Sequence, residues 1–179
     1  MAAYPRFTYY PRWRSTPDWV ANVVHAFAVV QAAIDTSRQA NKSDVALSVL
    51  RPGLEACGFE VEAGKGRSEK LYRPVFFGEN GRPERQYQID AYNGAEHVAL
   101  EVEAGRSVLG NAIYRDLIQM SLLVDVDYAV VAVPVEYRYA SGGRPITSQP
   151  YRDCVSILDA IYGGRRLELP FKGLLLVGY

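Results

Sequence analysis

Two short stretches of alternating apolar and polar residues face each other across a five-residue gap: Tyr87-Gln-Ile-Asp-Ala-Tyr and Val98-Ala-Leu-Glu-Val-Glu, with Asn93 to His97 between them. Alternation of period two predicts a pair of β-strands. Elsewhere the period changes. Val20, Val23, Val24, Phe27, Val30, Ala33 and Ile34 form a helical stripe to about Thr36, with Ser15 or Thr16 as cap and Pro17 in the first turn. A second helix is predicted over residues 41–57, stopped by Gly58 and kinked or divided at Pro52. Residues 59–62 read as a strand. Residues 64–85 are glycine-rich, basic and irregular, with an extended piece at 72–77. A helix over 109–124 carries the stripe Leu109, Ile113, Leu117, Met120 and Val124. The nearly continuous apolar run 128–135 suits a central strand covered on both faces, which makes strand, helix and strand a βαβ unit. A loop at 141–145, a helix at 151–162 and a last strand or buried tail from Leu174 complete the chain.

The polar positions of the strand pair are acidic. Side chains two apart on a strand share a face, so Glu101 and Glu103 lie together. A tight turn on Asn93-Gly94 sets Asp90 opposite His97, and a four-residue loop, 94–97, sets it opposite Glu101. Parity is the same in both registers, so Asp90 joins the two glutamates, while Ile89, Ala91, Val98, Leu100 and Val102 take the other face. Three carboxylates on one face repel unless a positive charge lies among them, and hard divalent cations take such oxygen ligands. The competing reading is the solvated polar face of a half-buried strand. Glu60-Val-Glu62 and Asp125-Val-Asp127 repeat the acidic spacing and serve as internal controls for it.

Composition sets the frame. At 179 residues and 49% hydrophobic the chain suits one domain, 1–179, with a substantial core. No apolar run is long enough to cross a bilayer, and no signal-peptide pattern opens the sequence, so a cytoplasmic protein is expected. Cys57 and Cys154 lie in apolar helical patterns and read as core thiols. Two histidines and two separated cysteines build no recognisable zinc site. Net charge is zero, but Lys65, Arg67, Lys70, Arg73, Arg82 and Arg85 outnumber Glu69, Glu79 and Glu84 just before the strand pair. Those six bases are the candidate nucleic-acid contacts. The first seventeen residues interleave Arg6, Arg12 and Arg14 with Tyr and Trp; the favoured reading is an arm packing its aromatics on the domain.

An order of helix, three strands, helix and strand, with acids on the second and third strands, resembles the core of the PD-(D/E)XK nuclease superfamily over residues 44–135. The resemblance implies an α/β, restriction-endonuclease-like core, a mixed β-sheet flanked by helices, with an extra N-terminal helix. It implies a nuclease hydrolysing phosphodiester bonds, in DNA, with Mg²⁺ or Mn²⁺ as cofactor. Asp90, Glu101 and Glu103 occupy the three catalytic places. Asp90, Glu101 and the carbonyl of Val102 would hold the metal. Glu103 stands where most members have lysine, as in the Glu-x-Glu variant of some restriction enzymes. Positive charge for the transition state must then come from elsewhere, with Arg106, Arg115 and Gln119 as candidates. Glu55 corresponds to an acid that many members place near the metal. Restriction enzymes that cut both strands commonly pair, which makes a homodimer part of the expectation. A non-catalytic module of the same fold, binding nucleic acid or a protein, is the alternative, and an unrelated α/β protein with a merely polar strand face is a third reading.

Overall fold

The computed structural model describes residues 5–37, 42–105, 107, 110–164 and 166–179. They form a mixed α/β structure with four α-helices and a six-stranded mixed sheet. The strands of the sheet are β1 (Arg6–Tyr10), β2 (Glu60–Val61), β5 (Ala91–Asn93), β6 (Val98–Val102), β7 (Tyr128–Val133) and β10 (Gly173–Gly178), in the order β1-β10-β7-β6-β5-β2. β6, β7 and β10 are parallel; β1, β5 and β2 run antiparallel to their neighbours. Two hairpins stand apart from this sheet, β3 (Leu71–Phe77) with β4 (Pro83–Ile89), and β8 (Tyr137–Ser141) with β9 (Arg144–Ser148).

The central run behaves as its apolar sequence requires. β7 is flanked by parallel strands and is buried from Ala129 to Val133. One face of the sheet carries Val98, Leu100, Val102, Val130 and Leu175 against α1 (Asp18–Ile34) and α2 (Ser43–Ala56). The other carries Ala99, Val131 and Leu176 against α3 (Ala112–Ser121) and α4 (Pro150–Gly164). The helix pair α1 and α2 packs closely where Gly53 meets Ala26; a Cβ on Gly53 would lie 3.1 Å from the Ala26 methyl.

Several expectations change. α1 begins at Asp18 with Pro17 at the N-cap position and no side-chain cap, so neither Ser15 nor Thr16 serves. α2 runs through Pro52 without a break. The arm is an edge strand, β1, with Tyr9 and Tyr10 buried, Arg12 on Asp159 at 2.8 Å and Arg6 over the Tyr151 ring. The glycines 142 and 143, both at positive φ, turn the hairpin β8–β9 where a loop was expected. The start of the predicted 109–124 helix lies partly outside the described residues; the observed helix spans Ala112–Ser121. Among the described residues no helix is long and apolar enough to cross a membrane.

Candidate functional site

The register between β5 and β6 pairs Ala91 with Leu100 and Asn93 with Val98, which is the four-residue-loop alternative and puts Asp90 level with Glu101. Asp90 is the bend between β4 and β5. The bend has a consequence for Ile89. It ends β4, which pairs with β3 outside the main sheet, and its side chain packs with Tyr92 and Ala99 rather than with Ala91 and Leu100. The alternation expected over 87–92 is therefore interrupted at the aspartate itself.

The acidic face is covered. Glu101 is 9% exposed, because α3 lies over this side of the sheet and brings its own carboxylate, Asp116, at 1% exposure. The reading of a solvated polar strand face does not fit that burial. Asp90 Oδ2 accepts the backbone N–H of Val102 at 2.8 Å, and its carboxyl lies within hydrogen-bonding distance of Glu101. Glu103 and Asp116 form a second such pair. Arg115 spans that pair, with Nη2 at 2.8 Å from Glu103 Oε1 and from Asp116 Oδ1. The backbone at Glu103 is pinned from the opposite side by the buried Tyr179, whose hydroxyl donates to the Glu103 carbonyl at 2.7 Å. Gly105, two residues on, admits no side chain: a Cβ there would fall 1.8 Å from the Tyr137 ring.

Burial and crowding decide the electrostatics. Asp90 is pushed up to about 6 by burial, against the Val102 hydrogen bond and with help from Glu62 and Asp116. Burial, then Asp90, Asp116 and Glu103, hold Glu101 well above the usual carboxylate range. Glu103 rises to about 8 by burial and the proximity of Asp116. The donor set is entirely oxygen, which suits a hard divalent ion rather than a soft one. Asp116 Oδ2, buried, finds no hydrogen-bond partner among the described residues. Among those residues no three His, Cys, Asp or Glu side chains converge on a single ion position.

Glu62, treated in the sequence as a control, lies at this site. Its backbone N–H donates to the Asp90 carbonyl at 2.8 Å, and its buried carboxylate accepts from Lys70 at 2.5 Å and from Gln88 at 2.7 Å. Glu62, Lys70, Gln88 and Asp90 line a cleft of about 420 Å³ together with the first turn of α2. Arg51 closes its wall by donating to the carbonyls of Glu62 and Ala63. Asp125-Val-Asp127 behaves as the control it was taken for, a surface turn with Asp127 bound to Lys172.

The other predicted residues divide. Arg115 is at the cluster. Gln119, one turn further along α3, donates instead to the Gln88 carbonyl and ties the helix to β4. Glu55 is exposed on α2 and is not among the residues lining the Asp90 cleft, which α2 reaches through Asp44, Ser48 and Arg51. The supporting role expected of Glu55 therefore has no geometric basis. Arg106 lies outside the described residues. Of the six bases, Lys65 and Lys70 line the cleft, with Lys65 held 2.6 Å from Asp44. Arg67, Arg82 and Arg85 are exposed on and before the β3–β4 hairpin. Arg73 stacks over Tyr92 at 3.9 Å and packs the hairpin onto the sheet, which is structural work.

Sequence reasoning missed Asp116, and the signal was there: it sits at the spacing of Ile113, Leu117 and Met120, an acid on an apolar helical stripe. Glu62 had no comparable signal, since its partners come from a loop and a separate hairpin. No protein-family model matches the chain, and no curated protein matches it.

Proposed function

We propose that the chain is a divalent-metal-dependent nuclease with a restriction-endonuclease-like core, hydrolysing phosphodiester bonds in DNA. One observation carries the reading: Asp90, Glu101 and Glu103 gather in a buried patch with Asp116, and all three have carboxyls raised by that burial and by one another. Ionised carboxylates crowded out of water need protons or a cation, and such perturbed groups mark functional sites. The order of elements supports the same reading, since α2, β2, β5, β6, α3 and β7 follow one another as helix, three strands, helix and strand, with a hairpin between the first two strands.

Asp90, Glu101 and the Val102 carbonyl would hold Mg²⁺ or Mn²⁺. The ion supplies a more acidic bound water and stabilises charge on the phosphate oxygens. Glu103 is the more basic carboxylate at the rim of the patch, with its side chain 16% exposed, and takes the proton of the attacking water. Arg115, 65% exposed at the same rim, offers its guanidinium to a phosphate in place of the absent lysine. A non-catalytic nucleic-acid-binding module is the second reading; Glu103 at the lysine position favours it.

Mn²⁺ calorimetry on wild type, Asp90→Ala and Glu60→Ala tests the proposal, followed by Mg²⁺-dependent cleavage of plasmid DNA. Glu60 is exposed on β2 and replaces Glu62 as the control. Binding lost only in Asp90→Ala, with cleavage, supports the nuclease. Binding without cleavage of DNA or RNA moves the reading to the module. Absence of binding with inorganic phosphate present overturns the metal site.

A further inference from the structure

Asp116 and Arg115 are the two groups at the cluster whose arrangement the site described so far does not use fully. The Asp116 side chain is 2% exposed, yet Oδ2 has no partner, while Oδ1 takes both Nε and Nη2 of Arg115 at 3.0 and 2.8 Å. The same Nη2 reaches Glu103 Oε1 at 2.8 Å. Two carboxylates from different elements, the end of β6 and the first turns of α3, thus converge on a position held by a positive group. Arg115 is poorly suited to keep it. Its side chain is 65% exposed and free to swing into solvent, and its guanidinium leaves one buried oxygen of Asp116 unpaired. A small divalent ion has no such defect. It needs only oxygens at close range and completes its shell with water.

We propose that Glu103 and Asp116 form a second divalent-cation position beside the Asp90–Glu101 position, and that Arg115 is its resident surrogate in the cation-free protein. A divalent ion and the guanidinium compete for the same two carboxylates. Entry of the ion releases Arg115 toward solvent, where it can meet a phosphate. The inference rests on the metal reading of the neighbouring pair. Each position draws two side-chain carboxylates from the protein, consistent with no three converging on one ion among the described residues.

Mn²⁺ titration calorimetry tests this on the full chain as wild type, Asp116→Asn, Arg115→Gln and Asp90→Asn, with circular dichroism to verify folding. Wild type is expected to bind two equivalents. Asp116→Asn keeps one, the equivalent that Asp90→Asn removes. Arg115→Gln keeps both and binds the second tighter by roughly tenfold, because a charge-assisted competitor is gone. A purely structural role for Arg115 would give no gain in affinity, so this variant decides the matter even if Asp116→Asn fails to fold. Two equivalents in Asp116→Asn, or no tightening in Arg115→Gln, overturns the second position. One equivalent in wild type, lost only in Asp90→Asn, overturns it and leaves the first position standing. No binding in wild type overturns both.

Discussion

Asp90 Oδ2 and the backbone N–H of Val102 are 2.8 Å apart, so the carboxylate on one strand is anchored by the chain between the two glutamates on the next. Val102 is 2% exposed, which leaves its amide no water to turn to. Asp90→Ala removes the acceptor and is expected to cost about 1–3 kcal/mol, the usual penalty of an unpaired buried amide. Asp90→Asn keeps an acceptor oxygen and removes the charge, and should be at least as stable as wild type without metal at pH 8. Urea unfolding of the two variants checks this; equal stabilities would mean that the hydrogen bond carries no weight.

The raised carboxyls set a pH dependence. Asp90 binds its proton near pH 6 folded against 3.8 unfolded, and Glu103 near 8 against 4.5. Across that window the folded state binds more protons than the unfolded one, so stability falls as pH rises from about 4 to 8. Melting temperature in EDTA is expected to drop between pH 5 and pH 8.5. Millimolar Mg²⁺ or Mn²⁺ should recover much of the loss, because a ligand of the folded state alone stabilises it by mass action. Melts recorded across this range with and without metal test both parts. A flat profile in EDTA would show that the cluster is not under charge strain.

Lys70 and Glu62 form the ion pair most protected from water near the site, with side chains 21% and 10% exposed. Removing Lys70 alone leaves a buried carboxylate with Gln88 as its remaining neutral donor. Lys70→Met is therefore expected to destabilise by about 3 kcal/mol, as when one partner of a buried pair is deleted. The double variant Lys70→Met/Glu62→Gln should recover most of that loss. Denaturant titrations of the single and double variants measure the coupling. Additive losses would place Glu62 in effective contact with solvent.

Which parts of this arrangement were legible in the sequence follows from how local each cause is. The acid-bearing strand pair, its parity and the parallel central strand come from alternation and apolar runs, which act within a few residues. Glu101 and Glu103 could only share a face, whatever the loop did. The bend at Asp90 was not legible, because it arises where β4 leaves one sheet and β5 joins another. The hairpin β8–β9 was hidden in a glycine pair that reads equally well as a loop. Pro52 inside α2 was misread as a break, since packing of Leu47, Leu50 and Leu54 holds the helix through it.

The sequence by itself determined that three carboxylates lie together beside an apolar strand, because side-chain direction along a strand is a property of the backbone. Only the tertiary structure decided that they are buried, that Asp116 and Glu62 join them from a helix and a loop, and that Arg115 rather than Arg106 or Glu55 is seen among them. Burial depends on what packs over a face, and that is set by α3 crossing the sheet, a contact between residues too distant in the chain for any local pattern to record.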